Sequence, residues 1–184
     1  MSTDQSSDND RARALLNELR ALPRGTLAAA RALLAVKRDE GVECPCCEQF
    51  VKVYKRPINA AMSYALILID HYFSRPAHDE WLHVPQFLAV QKLPASTLAS
   101  IRGDWAKLKY WGLLEEMQAL RDDGSNRVGF WKITEKGRQF VQRHVVVPKY
   151  AHLLNNQFLC FEGPEIGIED SLGVRFNYNE LMSR

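Results

Sequence analysis

Residues 96–141 read STLASIRGDWAKLKYWGLLEEMQALRDDGSNRVGFWKITEKGRQFV, and their pattern decides the fold. Leu98, Ile101, Trp105 and Leu108 recur at spacings of three and four, which places them on one helix face. The spacing predicts one continuous helix from Ser96 to Trp111, capped by Ser96 or Thr97 and stopped by Gly112. Leu113-Leu114-Glu115-Glu116-Met117 then resumes in extended style. Arg121 to Arg127 reads as a polar hairpin tip, and Val128 to Ile133 alternates as a strand. Thr134 is placed to cap a further helix from Glu135 to about His144.

Upstream, Ile58 to Tyr72 is a strongly apolar helix with Asn59 near its start. Trp81-Leu82-His83-Val84 is a short strand, followed by a brief helix over Gln86 to Gln91, with Pro85 at its first position. Two earlier helices are expected. One spans Arg11 to Leu22, and the other runs from a Thr26 cap to about Arg38, with Leu27, Ala30, Leu33 and Leu34 inward. Phe50 to Tyr54 alternates as one short strand. Downstream, Asn155-Asn156 is the centre of a tight hairpin. Glu165 to Glu169 reads as a short strand, and Tyr178 to Met182 as a short helix.

At Trp131 and Thr134-Glu135-Lys136-Gly137 the chain resembles the winged-helix family. Its members commonly end a hairpin with an aromatic residue and start the next helix with this tetrapeptide. The resemblance implies an α+β fold with a winged helix-turn-helix core. The core would carry an N-terminal helical pair and a small C-terminal β-hairpin or α+β extension. The expected organisation is a disordered 1–10, a helical pair over 11–43, and a cysteine turn with a short strand over 44–57. The winged-helix domain would follow over 58–147, with the extension over 148–184. The wider family mostly binds double-stranded DNA, and a minority are protein-interaction modules.

The resemblance makes 96–111 the recognition helix. With the apolar stripe buried, the opposite side would show Ala99, Ser100, Gly103, Ala106, Lys107 and Tyr110, flanked by Arg102 and Lys109. Small residues would let the helix approach a groove closely. The DNA-contacting set is then Ser96, Ser100, Arg102, Lys107, Lys109 and Tyr110 on the helix, with Arg121 and Arg127 on the wing. The formal net charge is only +2, but residues 100–149 hold ten Lys/Arg against six Asp/Glu. Residues 150–184 carry net −3. This basic middle suits phosphate contact on one surface. Asp122, Asp123, Glu115 and Glu116 oppose it. They favour the alternative, a small bacterial or phage-type modulator that binds another protein on the same scaffold.

Cys44-Pro45-Cys46-Cys47-Glu48 contains a Cys-x-x-Cys spacing, in which two thiolates on one turn can share a metal ion. It resembles half of a zinc-ribbon knuckle, with Glu48 where Gly is usual. The expectation is either no cofactor, the turn being a remnant knuckle or a partly buried cysteine turn, or Zn²⁺ on Cys44 and Cys47. No second Cys-x-x-Cys exists, so Cys46, His71, His78, His83, Cys160 or a second copy would have to complete the site. Three of the four cysteines lie within four positions, which gives no disulfide framework and points to reduced thiols.

No Gly-rich phosphate loop, nucleophile elbow or His-Glu-x-x-His run is present, so a non-enzyme is expected, with no catalytic residues. The longest apolar run, Ala65 to Ile69, is far below the roughly 20 residues of a membrane span. A soluble, cytoplasmic protein follows, possessing no membrane partner and open to homodimer formation through its N-terminal helices.

Overall fold

The computed structural model of the chain describes residues 26–75, 81–118 and 129–183. The expected helix 11–22, the 1–10 segment, the loop bearing His78, and the hairpin tip with Arg121 and Arg127 lie outside the described residues. Within them the protein is α+β, with seven α-helices, one 3-10 helix and three small antiparallel sheets. None of these helices is long and apolar enough to cross a membrane.

The chain divides into two compact units. The first comprises 26–56 and 152–160 of the described residues. Its helix α1 (Leu27–Lys37) is capped by Thr26, whose hydroxyl accepts the N–H of Ala29 at 3.2 Å. Ala30 is buried, whereas Leu27, expected inward, is 58% exposed because it sits at the first helical position. Strands β1 (Val42–Glu43) and β2 (Phe50–Val51) pair antiparallel, Val42 opposite Val51, and flank the cysteine turn. The single strand expected over 50–54 is instead two strands. The chain breaks at Lys52-Val53, where the Val53 N–H donates to the Arg38 carbonyl at 2.8 Å, and β3 (Tyr54–Pro57) begins afterwards.

The second unit comprises 57–151 and 161–183. At its centre lies α2 (Ala60–Phe73), capped by the Asn59 side chain on the Met62 N–H at 3.0 Å. Met62 to Asp70 are all buried, so this helix is apolar nearly all round and is packed on several sides. Then come β4 (Leu82–His83), α3 (Val84–Ala89) and α4 (Ala95–Ile101). A 3-10 helix (Trp105–Trp111) precedes β5 (Leu114–Glu116), β6 (Phe130–Ile133) and α5 (Glu135–Val141). The sheet order is β4-β6-β5, with Leu82 opposite Trp131 and Leu114 opposite Ile133. Helices α4, α5 and the 3-10 helix all pack on α2.

The tail divides between the units. Strands β7 (Val147–Leu154) and β8 (Gln157–Ile166) form a hairpin turning at Asn155 and Asn156, whose φ angles of 49° and 60° are the left-handed values such a turn needs. Together with β3 they make the order β3-β7-β8. The strand expected over Glu165–Glu169 ends at Ile166. Helix α6 (Ile168–Leu172) follows, its start satisfied by the Asp170 carboxylate on the Gly167 N–H at 2.8 Å. Ser171 on α6 meets Ser63 on α2 through a buried 2.6 Å hydrogen bond. Helix α7 (Tyr178–Met182) lies where the sequence placed it, capped by Asn177.

Candidate functional site

The helix expected to run unbroken from Ser96 to Trp111 is two elements. Helix α4 ends at Ile101, Arg102 and Gly103 turn, and the chain re-enters as a 3-10 helix at Trp105. Gly103 and Asp104 are both weak helix formers, so continuation has little local support. The tighter winding has a packing consequence. At three residues per turn, side chains at i and i+3 eclipse. Trp105, Leu108 and Trp111 therefore form one row, and all three are buried. Trp105 packs edge-on to Trp131 at 5.1 Å between ring centroids, and the Trp111 indole N–H donates to the Pro148 carbonyl at 2.6 Å.

This break redraws the expected contact face. On α4, the exposed row is Ser96, Ala99 and Arg102, joined by Gly103, while Ser100 is half-buried. The Ser100 hydroxyl donates to the Thr97 carbonyl and accepts from Arg175 at 3.2 Å. The Arg102 guanidinium reaches back to the Ala89 carbonyl at 3.3 Å, tying α4 to α3. On the 3-10 helix, Lys107 and Tyr110 share one row, and Lys109 falls on another. Lys107 is ion-paired with Asp104. Lys109 pairs with Glu116 at 2.8 Å and lies 5.5 Å over the Trp131 ring. The structure thus gathers Ser96 and Ser100 on α4 with Arg102 in the turn just after it, and sets Lys107, Lys109 and Tyr110 apart from them.

Asp104, Glu116 and Arg175 were missing from the expected set. The Asp104–Lys107 spacing is legible in sequence as a local pair. Glu116 and Arg175 reach the site only through the tertiary fold. Beside the α4 break, Leu88, Ala89, Arg102, Gly103 and Trp105 line a concavity of about 340 Å³.

The elements hold together through the Thr134–Gly137 tetrapeptide. Gly112 closes the 3-10 helix at φ 70°, in the left-handed region. The Lys136 ammonium donates to the Trp111 carbonyl at 3.0 Å, and the Thr134 N–H to the Leu113 carbonyl at 3.2 Å.

In the first unit, the cysteine turn is tightly ordered by its own backbone. The Cys44 N–H donates to the Gln49 carbonyl at 2.9 Å, and the Glu48 N–H returns to the Cys44 carbonyl at 2.8 Å. Glu48 takes φ 60°, in the left-handed region that favours glycine. The N–H groups of Cys46 and Cys47, and the thiols of both residues, act on the Cys44 sulfur. These contacts hold its thiol below the ordinary range, against the opposing effect of burial. Cys44 is buried, while Cys46, Cys47 and Cys160 are exposed. Among the described residues, no group of three or more His, Cys, Asp or Glu side chains gathers as a metal site.

No family model, curated protein or solved structure matches the chain.

Proposed function

We propose that the second unit is a winged-helix module that binds duplex DNA through the exposed row of α4, with the segment between β5 and β6 as its wing. The observation carrying this reading is topological. A helix (α2), strand (β4), two helices (α3 and α4) and two strands (β5 and β6) follow in order, and the sheet is arranged β4-β6-β5. The last strand returns to the middle of the sheet, and this order supports the winged-helix reading. Ser96, Ala99 and Gly103 are small, so α4 can lie close to base edges in the major groove, and Arg102 stands at its end. The surplus of Lys/Arg in 100–149 supplies the phosphate attraction. No catalytic role enters this reading.

The second reading, a module that binds another protein, rests on the ion pairs. Lys107 and Lys109 already face Asp104 and Glu116, which lowers the charge offered to phosphate. The concavity beside Trp105 is sized for an apolar side chain of a partner.

Fluorescence anisotropy of a mixed-sequence duplex at low and moderate salt separates them. DNA binding gives an affinity falling steeply with salt and abolished by Ala99→Glu, which puts a carboxylate on the groove-facing row. Absence of binding at low salt transfers this face to the protein-binding reading.

A further inference from the structure

The cysteine turn has the geometry of half a metal site. Two cysteines at Cys-x-x-Cys spacing lie on a turn closed by the Cys44 N–H on the Gln49 carbonyl at 2.9 Å and the Glu48 N–H on the Cys44 carbonyl at 2.8 Å. Strands β1 and β2 clamp the ends of the turn, and Glu48 accepts a left-handed backbone to complete it. Left-handed backbone is disfavoured for a non-glycine residue, so the turn is held against a local penalty.

A structural zinc takes four ligands, almost always Cys or His. The described residues bring no third ligand to this turn. The rest of the chain adds only His78 as a further Cys or His. The Cys47 side of the turn is accessible, since Cys47 and Phe50 are exposed, while Cys44 is buried. Segment 44–57 carries net +2, with Lys52, Lys55 and Arg56, which offsets the charge of a thiolate-bound ion.

We propose that Cys44 and Cys47 of two copies of this chain share one Zn²⁺ in a tetrahedral four-thiolate site, which joins them as a homodimer. Four thiols and Zn²⁺ give a tetrathiolate complex of net charge −2 and release four protons, with no change of oxidation state. Cys46 lies between the two ligands in sequence, and neither it nor Cys160 is a ligand in this site. The proposal is independent of the DNA-binding reading.

The test uses the full chain, purified reduced with zinc supplied, then freed of excess metal. Zinc is measured by elemental analysis and mass by light scattering after size exclusion. The expected result is about one zinc per two chains at the mass of two chains, reverting to one chain when a strong chelator strips the metal. Cys44→Ser and Cys47→Ser each lose zinc and dimer together, while Cys46→Ser and Cys160→Ser keep both. Far-ultraviolet circular dichroism confirms that each variant is folded. Adding Co²⁺ to the stripped protein should restore the dimer and give thiolate-to-cobalt charge-transfer absorption, independently of any substitution. One zinc per chain at single-chain mass would overturn the proposal. So would a dimer that survives chelation, zinc loss in Cys46→Ser equal to that in Cys47→Ser, or a reduced chain that takes up no zinc.

Discussion

The Thr134 hydroxyl donates to the Gly112 carbonyl at 2.6 Å while accepting the N–H of Gly137 at 2.9 Å. One side chain therefore satisfies an orphan donor at the start of α5 and an acceptor just past the end of the 3-10 helix. Removing both bonds without changing side-chain shape isolates their worth. Thr134→Val should lower unfolding free energy by about 1–2 kcal/mol in urea denaturation. Lys136→Met, which loses only the bond to the Trp111 carbonyl, should cost less. Equal stabilities of Thr134→Val and the parent would show that water replaces both bonds.

Gly137 is required for close approach. A Cβ there would meet the Leu113 carbonyl oxygen inside any tolerable contact and Ile133 Cγ1 at 2.8 Å. Helix propensity alone would make Gly137→Ala stabilising by about 1 kcal/mol. The overpacking should win instead and destabilise by about 1–3 kcal/mol, so the sign of the change in thermal midpoint decides between them.

Asp70 is buried within α2, and burial pushes its carboxyl above the ordinary carboxylate value, with Arg138 and then His71 partly offsetting this. Between the unfolded and the folded value, the folded state therefore holds a proton that the unfolded state has released. Stability falls as pH rises from the unfolded value near ~3.9 through the folded one, and stays reduced above it. Asp70→Asn should be more stable than the parent at pH 7, by about 2–4 °C for each kcal/mol recovered. The gap should close as melts are repeated toward pH 4. A less stable variant at pH 7 would mean that the attraction of Arg138 outweighs burial.

The ion pairs of Lys107 and Lys109 also set a direction. If the α4 face binds DNA, Asp104→Asn with Glu116→Gln frees both ammonium groups for phosphate. Duplex affinity should rise, and the slope of log affinity against log salt should steepen by up to about 2. Lys107→Ala in that background should lower the slope by about 1. An unchanged slope in the double variant would place both lysines away from phosphate.

Much of the architecture was legible because its causes are local. Thr26 and Thr134 each cap the helix they precede, Asn59 stands at the start of α2, Gly112 stops the 3-10 helix, and Asn155-Asn156 turns the β7–β8 hairpin. Each of these residues acts on backbone groups within a few positions of itself. The candidate site was less legible. Its apolar spacing fitted an α-helix through Leu98, Ile101, Trp105 and Leu108. The same residues equally allow a break at Gly103-Asp104 and a three-residue repeat through Trp105, Leu108 and Trp111.

The sequence by itself determined the caps, the turns, the apolar α2 helix and the Cys-x-x-Cys spacing, because short-range sterics and hydrogen bonding suffice for them. The tertiary structure alone decided the 3-10 winding, since it takes burial against Trp131 and the Pro148 carbonyl to favour that row of indoles. It also decided which cations stay available, because Lys109 meets Glu116 and Ser100 meets Arg175 across distances in sequence that no local rule connects. Long-range pairing depends on where the backbone has already been carried by its packing, and for that reason it is written in the fold and not in any one stretch of the chain.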